Sequence, residues 1–310
     1  MSRIAVLGLG LIGGSVAQGL ARTHDVVGHD SVPAVRRTAA EAGLAVGGSV
    51  AEAVEGADVV VLAGPVPANN ELLAHVPDTA IVTDVGSVKQ PIVDAWQQQR
   101  LVPGHPMAGA ETAGWDAASP DLFDNARWAL CPGPWASRDD WLAVCALALE
   151  LGAVVIPTDP EEHDAAAARI SHAPHVVAAA LAAASGSGDH PALTRALAAG
   201  SFRDLTRITA SPPERTAEFV HANAGPTAAV LREIAAALEA VEGRDRLLAL
   251  LQAGHDARQK ADAAHRRGPQ TDLTLDETGT WWQPLLDLGR KGGLIHAISG
   301  ATVTVTTPEA

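Results

Sequence analysis

Apolar positions fall into short continuous runs in the first half of the chain and into longer helical repeats in the second. Arg3 to Leu7, Asp25 to His29, Asp58 to Ala63 and Ala80 to Thr83 are dense in apolar residues with little alternation. Such runs predict strands covered on both faces, as in a parallel sheet. Leu101 to Pro103 follows, and Trp128 to Cys131 and Ala153 to Ile156 read as closing strands of the same sheet, with Pro157 stopping the last. From Thr158 onward, alanine-rich stretches predict helices over Glu161 to Ser185, Pro191 to Ala199, Glu214 to Ala222, Pro226 to Glu242 and Arg244 to Arg266. In the fourth, Val230, Leu231, Ile234, Leu238 and Val241 recur on one helical face. Gly268 to Gly279 is polar and reads as a mobile connection, and Ala301 to Thr306 reads as a lone β-branched strand with nothing after it to pair with. The pattern predicts an α/β protein: a doubly wound, Rossmann-type domain over residues 1–157, an all-helical domain over 158–267 and an extension over 268–310.

The first strand runs into Gly8-Leu9-Gly10-Leu11-Ile12-Gly13. Gly8 suits the tight turn, Gly10 admits a pyrophosphate close to the backbone, and Gly13 allows close packing of helix on strand. The helix opened by Leu11 and Ile12 directs its positive end at the anion. Asp30, at the end of the second strand and 20 residues past Gly10, is placed to accept both adenosine ribose hydroxyls. A carboxylate there repels a 2′-phosphate, so the expected cofactor is NAD rather than NADP; Arg36 and Arg37 read as solvated helix residues. Gly64 and Pro65 follow a strand's carboxyl end and are expected to flank the cofactor.

Charge and composition narrow the partners. A formal charge of −14 over 310 residues argues against nucleic acid and requires a local cationic cluster for any anionic substrate. No apolar run approaches the length of a membrane helix. Cys131 and Cys145 make no disulfide framework and read as reduced core residues of a cytoplasmic protein.

Chemistry concentrates in four places. His105 lies between Gly104 and Pro106 after a strand, in what reads as a constrained turn at the pyrophosphate edge, where a neutral imidazole can take an alcohol proton. Ser87 and Lys89 sit in a polar turn after another strand. His172 and His175 share a helix face, without the neighbours of a metal site. Arg203 and Arg207, four apart, share a face if helical and offer two forks for carboxylates, with Asp204 to balance them.

Five stretches, in order, resemble the prephenate and arogenate dehydrogenase family of tyrosine biosynthesis: GLGLIGGS at Gly8 to Ser15, TDVGSVK at Thr83 to Lys89, GHPMAGAETAG at Gly104 to Gly114, SHAPH at Ser171 to His175 and GSFRDLTRI at Gly200 to Ile208. The resemblance implies oxidative decarboxylation of prephenate to 4-hydroxyphenylpyruvate with NAD, or of arogenate to tyrosine. It implies that His105 hydrogen-bonds the substrate ring hydroxyl, that Ser87 orients it, and that Arg207 binds a carboxylate. Glu111, His172, His175, Arg203 and Asp204 are implied around the pocket. The chain departs from the family pattern at Ala110 and Thr216. A homodimer through the helical domain is expected, and the terminal strand reads as the vestige of a small regulatory domain of the ACT type. Two other readings, a β-hydroxyacid dehydrogenase and a non-catalytic nucleotide sensor, lack support from the lysines or are opposed by His105, Ser87 and Arg207 together.

Overall fold

The computed structural model describes residues 1–96, 100–109, 112–264, 266, 268–277 and 279–309. They form two compact units, residues 1–163 with 258–310, and residues 164–257. The extension therefore belongs with the nucleotide-type sheet and is not a third body.

In the first unit, strands β1 (Arg3–Leu7), β2 (Asp25–His29), β3 (Ala45–Val46), β4 (Val59–Leu62), β5 (Ile81–Asp84) and β6 (Leu101–Val102) form a parallel sheet. Its order is β3-β2-β1-β4-β5-β6, the doubly wound order with β1 and β4 central. β1, β4 and β5 are buried along nearly their whole length, which explains their unbroken apolar composition.

The expectation that Trp128 to Cys131 and Ala153 to Ile156 close this sheet is corrected. They form β8 (Arg127–Leu130) and β9 (Val154–Pro157) of a second six-stranded sheet, which begins with β7 (Gly104–Pro106). Pro103 marks the change: it has no N–H to continue the first ladder, and its carbonyl instead accepts from Cys131 N at 2.9 Å. β7 runs antiparallel to β8, and β8 parallel to β9.

The C-terminal stretch supplies the rest. β10 (Thr271–Thr274), β11 (Leu294–Ser299) and β12 (Thr302–Thr306) complete the order β10-β12-β11-β9-β8-β7. The terminal strand is thus not lone: β12 is paired antiparallel on both sides, and part of the stretch expected to be mobile is β10. Its sequence hid this because β11 carries His296 and Ser299 and β10 is largely exposed. Trp281 anchors the segment against Trp141 of the helix Arg138–Glu150, ring centroids 6.1 Å apart. The helix Gln283–Arg290 buries Leu285, Leu286 and Leu288, and its Gly289 meets the Pro157 carbonyl so closely that no side chain fits. A continuous apolar core from Ile4 and Val6 through Trp128 and Trp141 to Ile295 and Val303 joins both sheets. Cys145 lies within it, where burial pushes its thiol up, out of the reactive range.

The second unit is helical, with helices Ala173–Ser185, Pro191–Ala196, Gly200–Thr206, Pro213–Ala222 and Ala224–Glu239 within it. Its buried apolar cluster is small, Ala168, Ala173 and Val230, with Leu231 and Ile234 packed against it. The long helix predicted over Glu161 to Ser185 contains one widened turn, Ala168–His172, in which Ala173 N–H reaches five residues back to Ala168 O. Pro174 accounts for it: without an N–H, and with its ring pressing on the preceding turn, it cannot continue the regular ladder.

Candidate active site

The glycine turn has the form the sequence predicts. Gly8 holds φ at +105°, and a Cβ there would stand 2.7 Å from the Ala63 carbonyl group of the neighbouring strand end. A Cβ on Gly13 would strike the Gly8 carbonyl oxygen, whereas one on Gly10 meets nothing within 4 Å. Gly10 therefore faces open space, and it begins the helix Leu11–Leu20 with no side-chain cap on the first-turn N–H groups. Such a cradle fits the pyrophosphate of a dinucleotide.

Asp30 is drawn to this turn. Its carboxylate accepts from Leu9 N–H and from Val32 N–H, each at 2.8 Å, which holds it beside the glycine loop. Arg36 is half-buried, not a solvated helix residue: its guanidinium donates to the Asp30 carbonyl at 2.5 Å and to the Ser31 carbonyl at 3.3 Å. Arg37 is exposed. Gly64 N–H donates to Asn69 Oδ1 at 3.0 Å, and Pro65 caps the helix Val66–Leu73, so the loop after β4 is fixed by its own helix.

His105 is on strand β7, not in a turn, opposite Ala129 of β8. It is 9% exposed, and its Nδ1 lies 2.9 Å from Nε2 of His163, the rings meeting edge to face at 5.1 Å. Of two imidazole nitrogens facing each other at this distance, one must donate and the other accept. Nothing local in the sequence ties His163 to His105. The helix carrying it starts just beyond β9, and sequence alone did not give the pairing of β8 with β9 that brings it to His105. Ser87 is half-buried in the loop after β5, and Lys89, at the end of that loop, has no exposure.

In the helical unit, His172 is 1% exposed and His175 half-buried, with both rings 5.0–5.2 Å from that of Phe219. Asn223 Nδ2 donates to the Asp164 carbonyl at 2.7 Å and to His172 Nδ1 at 2.9 Å. Accepting at Nδ1 leaves the proton of neutral His172 on Nε2. His175 Nδ1 donates to the Ser171 carbonyl at 2.8 Å. The shared helical face expected for Arg203 and Arg207 is interrupted: the helix ends at Thr206, and Arg207 opens a 3-10 turn, Arg207–Ala210. Threonine hydroxyls explain the break, Thr206 bonding back to Phe202 O and Thr209 to Thr206 O, both at 2.7 Å. Arg203, Asp204 and Arg207 are all solvent-exposed. Glu111 and Ala110 lie outside the described residues.

A doubly wound sheet with an uncapped glycine turn, an acidic residue just past the second strand and a buried histidine pair on the elements that follow the sheet defines a nucleotide-binding dehydrogenase fold with a helical second unit. Residues 16–157 match the family model for the nucleotide-binding domain of prephenate dehydrogenase, and residues 159–248 the model for its dimerization domain. The chain belongs to the prephenate dehydrogenase family. It is 36% identical to a prephenate dehydrogenase of Lactococcus lactis subsp. cremoris over 227 residues, 67% of this chain and 61% of that protein. It thus spans less than two thirds of that relative's length. A Corynebacterium glutamicum structure described as a prephenate dehydrogenase superposes with a TM-score of 0.82 at 32% identity, covering 94% of this chain and 97% of that one. The prephenate dehydrogenase of A. aeolicus, solved with hydroxyphenyl propionate and NAD+, gives 0.73 at 26% identity over 84% of this chain and 95% of that one.

Proposed function

We propose that this protein catalyses the NAD-dependent oxidative decarboxylation of prephenate to 4-hydroxyphenylpyruvate. The observation that carries the reading is the buried contact of His105, on the strand that follows the nucleotide-binding sheet, with His163 of the helix Pro160–Ala167. With the His105 Nδ1–H donating to His163, neutral His105 carries its basic lone pair on Nε2, the atom this reading assigns to the substrate hydroxyl. His105 Nε2 takes the proton of the ring hydroxyl as the C–H bond on the same carbon breaks. NAD, when bound, accepts that hydride. The resulting ring ketone draws the electrons of the C–CO₂⁻ bond into the ring, so carbon dioxide leaves and the ring becomes aromatic without a separate acid at the carboxylate. Ser87 orients the hydroxyl, and Arg207 holds a substrate carboxylate.

The residues present fit NAD: open space at Gly10 would admit the pyrophosphate, the uncapped first-turn N–H groups that begin with Leu11 and Ile12 would bond it, and the Asp30 carboxylate, tied to the glycine loop, would accept from a ribose hydroxyl. Glu111, His172, His175, Arg203 and Asp204 belong to the same reading as pocket residues, on their match to the family motifs. A homodimer through the helical unit is supported by the family's dimerization domain and by exposed Leu193, Leu197, Leu238 and Leu251. No described helix is long and apolar enough to cross a membrane, and the buried thiols suit the cytoplasm.

The test is direct. Absorbance of reduced cofactor is followed with prephenate and with arogenate, each against NAD and NADP. Turnover of prephenate with NAD at the highest kcat/KM is expected. A preference for arogenate would reassign the substrate, and no reduction with either would overturn the reading.

A further inference from the structure

Lys89 has an ammonium group with no solvent exposure, paired with Asp84, which is 2% exposed. Burying two charges is costly unless each is also hydrogen-bonded, and an apolar pair of similar volume often serves stability as well. The bonds these two make are specific. Lys89 Nζ donates to the carbonyl of Gly104 at 2.5 Å, and Gly104 N–H donates to Asp84 Oδ1 at 3.1 Å. Both peptide groups of the residue immediately before His105 are thus gripped by one ion pair. Asp84 Oδ2 also accepts from Gly86 N–H at 2.8 Å, inside the loop that carries Ser87. Asp84 and Lys89 are the two ends of that loop, so their contact closes it. Glycines are required at both grip points. A Cβ on Gly104 would lie 2.9 Å from both the Asp84 carbonyl oxygen and Trp128 Nε1, and one on Gly86 would lie 2.9 Å from Asp84 Oδ2.

We propose that the Asp84–Lys89 ion pair is a positioning device that sets the Ser87 loop and the His105 strand in register with each other. β7 is an edge strand, and the charges take the place of a ladder partner on the side of Gly104 that faces β5. Neither residue touches substrate; each acts through His105 and Ser87. The inference rests on the dehydrogenase reading above.

The experiment is a double-mutant cycle on the full chain. Lys89→Met is expected to lower kcat at least tenfold while changing the NAD dissociation constant less than twofold. In a His105→Asn background the same substitution is expected to lower kcat less than threefold, because its effect passes through His105. An equal loss in both backgrounds would overturn the proposal. Asp84→Asn combined with Lys89→Met leaves no unpaired charge and is expected to behave as Lys89→Met. Should neither fold, Lys89→Arg keeps the cation, displaces Gly104 by its larger head, and is read in the same cycle. Histidine ¹⁵N spectra provide a readout independent of turnover: Lys89→Met is expected to move the His105 resonances and leave those of His172 and His175 in place. Unmoved His105 signals would sink the proposal even if the enzyme were inactive on both substrates, whereas moved signals without turnover would count against the reaction alone.

Discussion

His163 Nε2 stands 2.9 Å from His105 Nδ1 in a buried contact, so the tautomer of one imidazole sets the tautomer of the other. His105→Asn is expected to lower kcat by about two to four orders of magnitude, the usual contribution of a positioned base, with NAD affinity near that of the parent. An unchanged rate in a stopped-flow assay would remove His105 from the reaction.

Arg207→Ala is expected to act on substrate binding. If its guanidinium holds a substrate carboxylate, KM rises by about one to two orders of magnitude, about 1.4 kcal/mol for each tenfold. NAD binding and the thermal midpoint should stay put, since Arg207 is exposed. A normal KM would contradict the assignment.

Two glycines of one motif are expected to fail differently. Gly10→Ala places its methyl in open space, so the thermal midpoint should hold while NAD affinity falls. Gly13→Ala drives a methyl into the Gly8 carbonyl and should lower the midpoint even without nucleotide. Calorimetry on both variants, with cofactor titration, separates the two effects.

Asp30→Ser, with Arg36 retained, is expected to move the ratio of kcat/KM values toward NADP. The carboxylate that repels a 2′-phosphate is removed, and a guanidinium already at the strand's end remains. A parent enzyme that favours NADP would defeat the ribose assignment.

Removing residues 300–310 takes out β12, which is paired with both β10 and β11. The thermal midpoint should fall by roughly 10 °C or more, at about 2–4 °C per kcal/mol for a domain of this size. A midpoint within 2 °C or so of the parent, by the same scale, would show that the second sheet does not depend on that strand.

Much of this arrangement was legible in the residues. β1 and β2 run over the residues their apolar pattern marks, because a strand buried on both faces has few other compositions open to it. The glycine turn and Asp30 were readable for a related reason: each position is forced by a close approach or by an anion. What escaped was long-range pairing. Pro103 looked like the end of a strand, but nothing local said that His105 would begin a different sheet, or that Leu294 to Thr306 would join it. His163 was unreadable as a partner of His105 for the same cause, since 58 residues separate them in sequence. Lys89 was legible as part of a polar turn but not as buried, because a buried ammonium is recognised only by the carboxylate and carbonyl that surround it.

The strand order of the second sheet has a consequence for how the protein is made. All six strands of the first sheet lie between Arg3 and Val102, so its hydrogen-bonded ladder draws only on residues made early, although the core on one of its faces is completed by later ones. The sheet that carries His105 reaches its full strand order only once Leu294 to Thr306 have emerged. A nascent polypeptide would have every strand around the glycine turn before it has every strand of the sheet that carries His105.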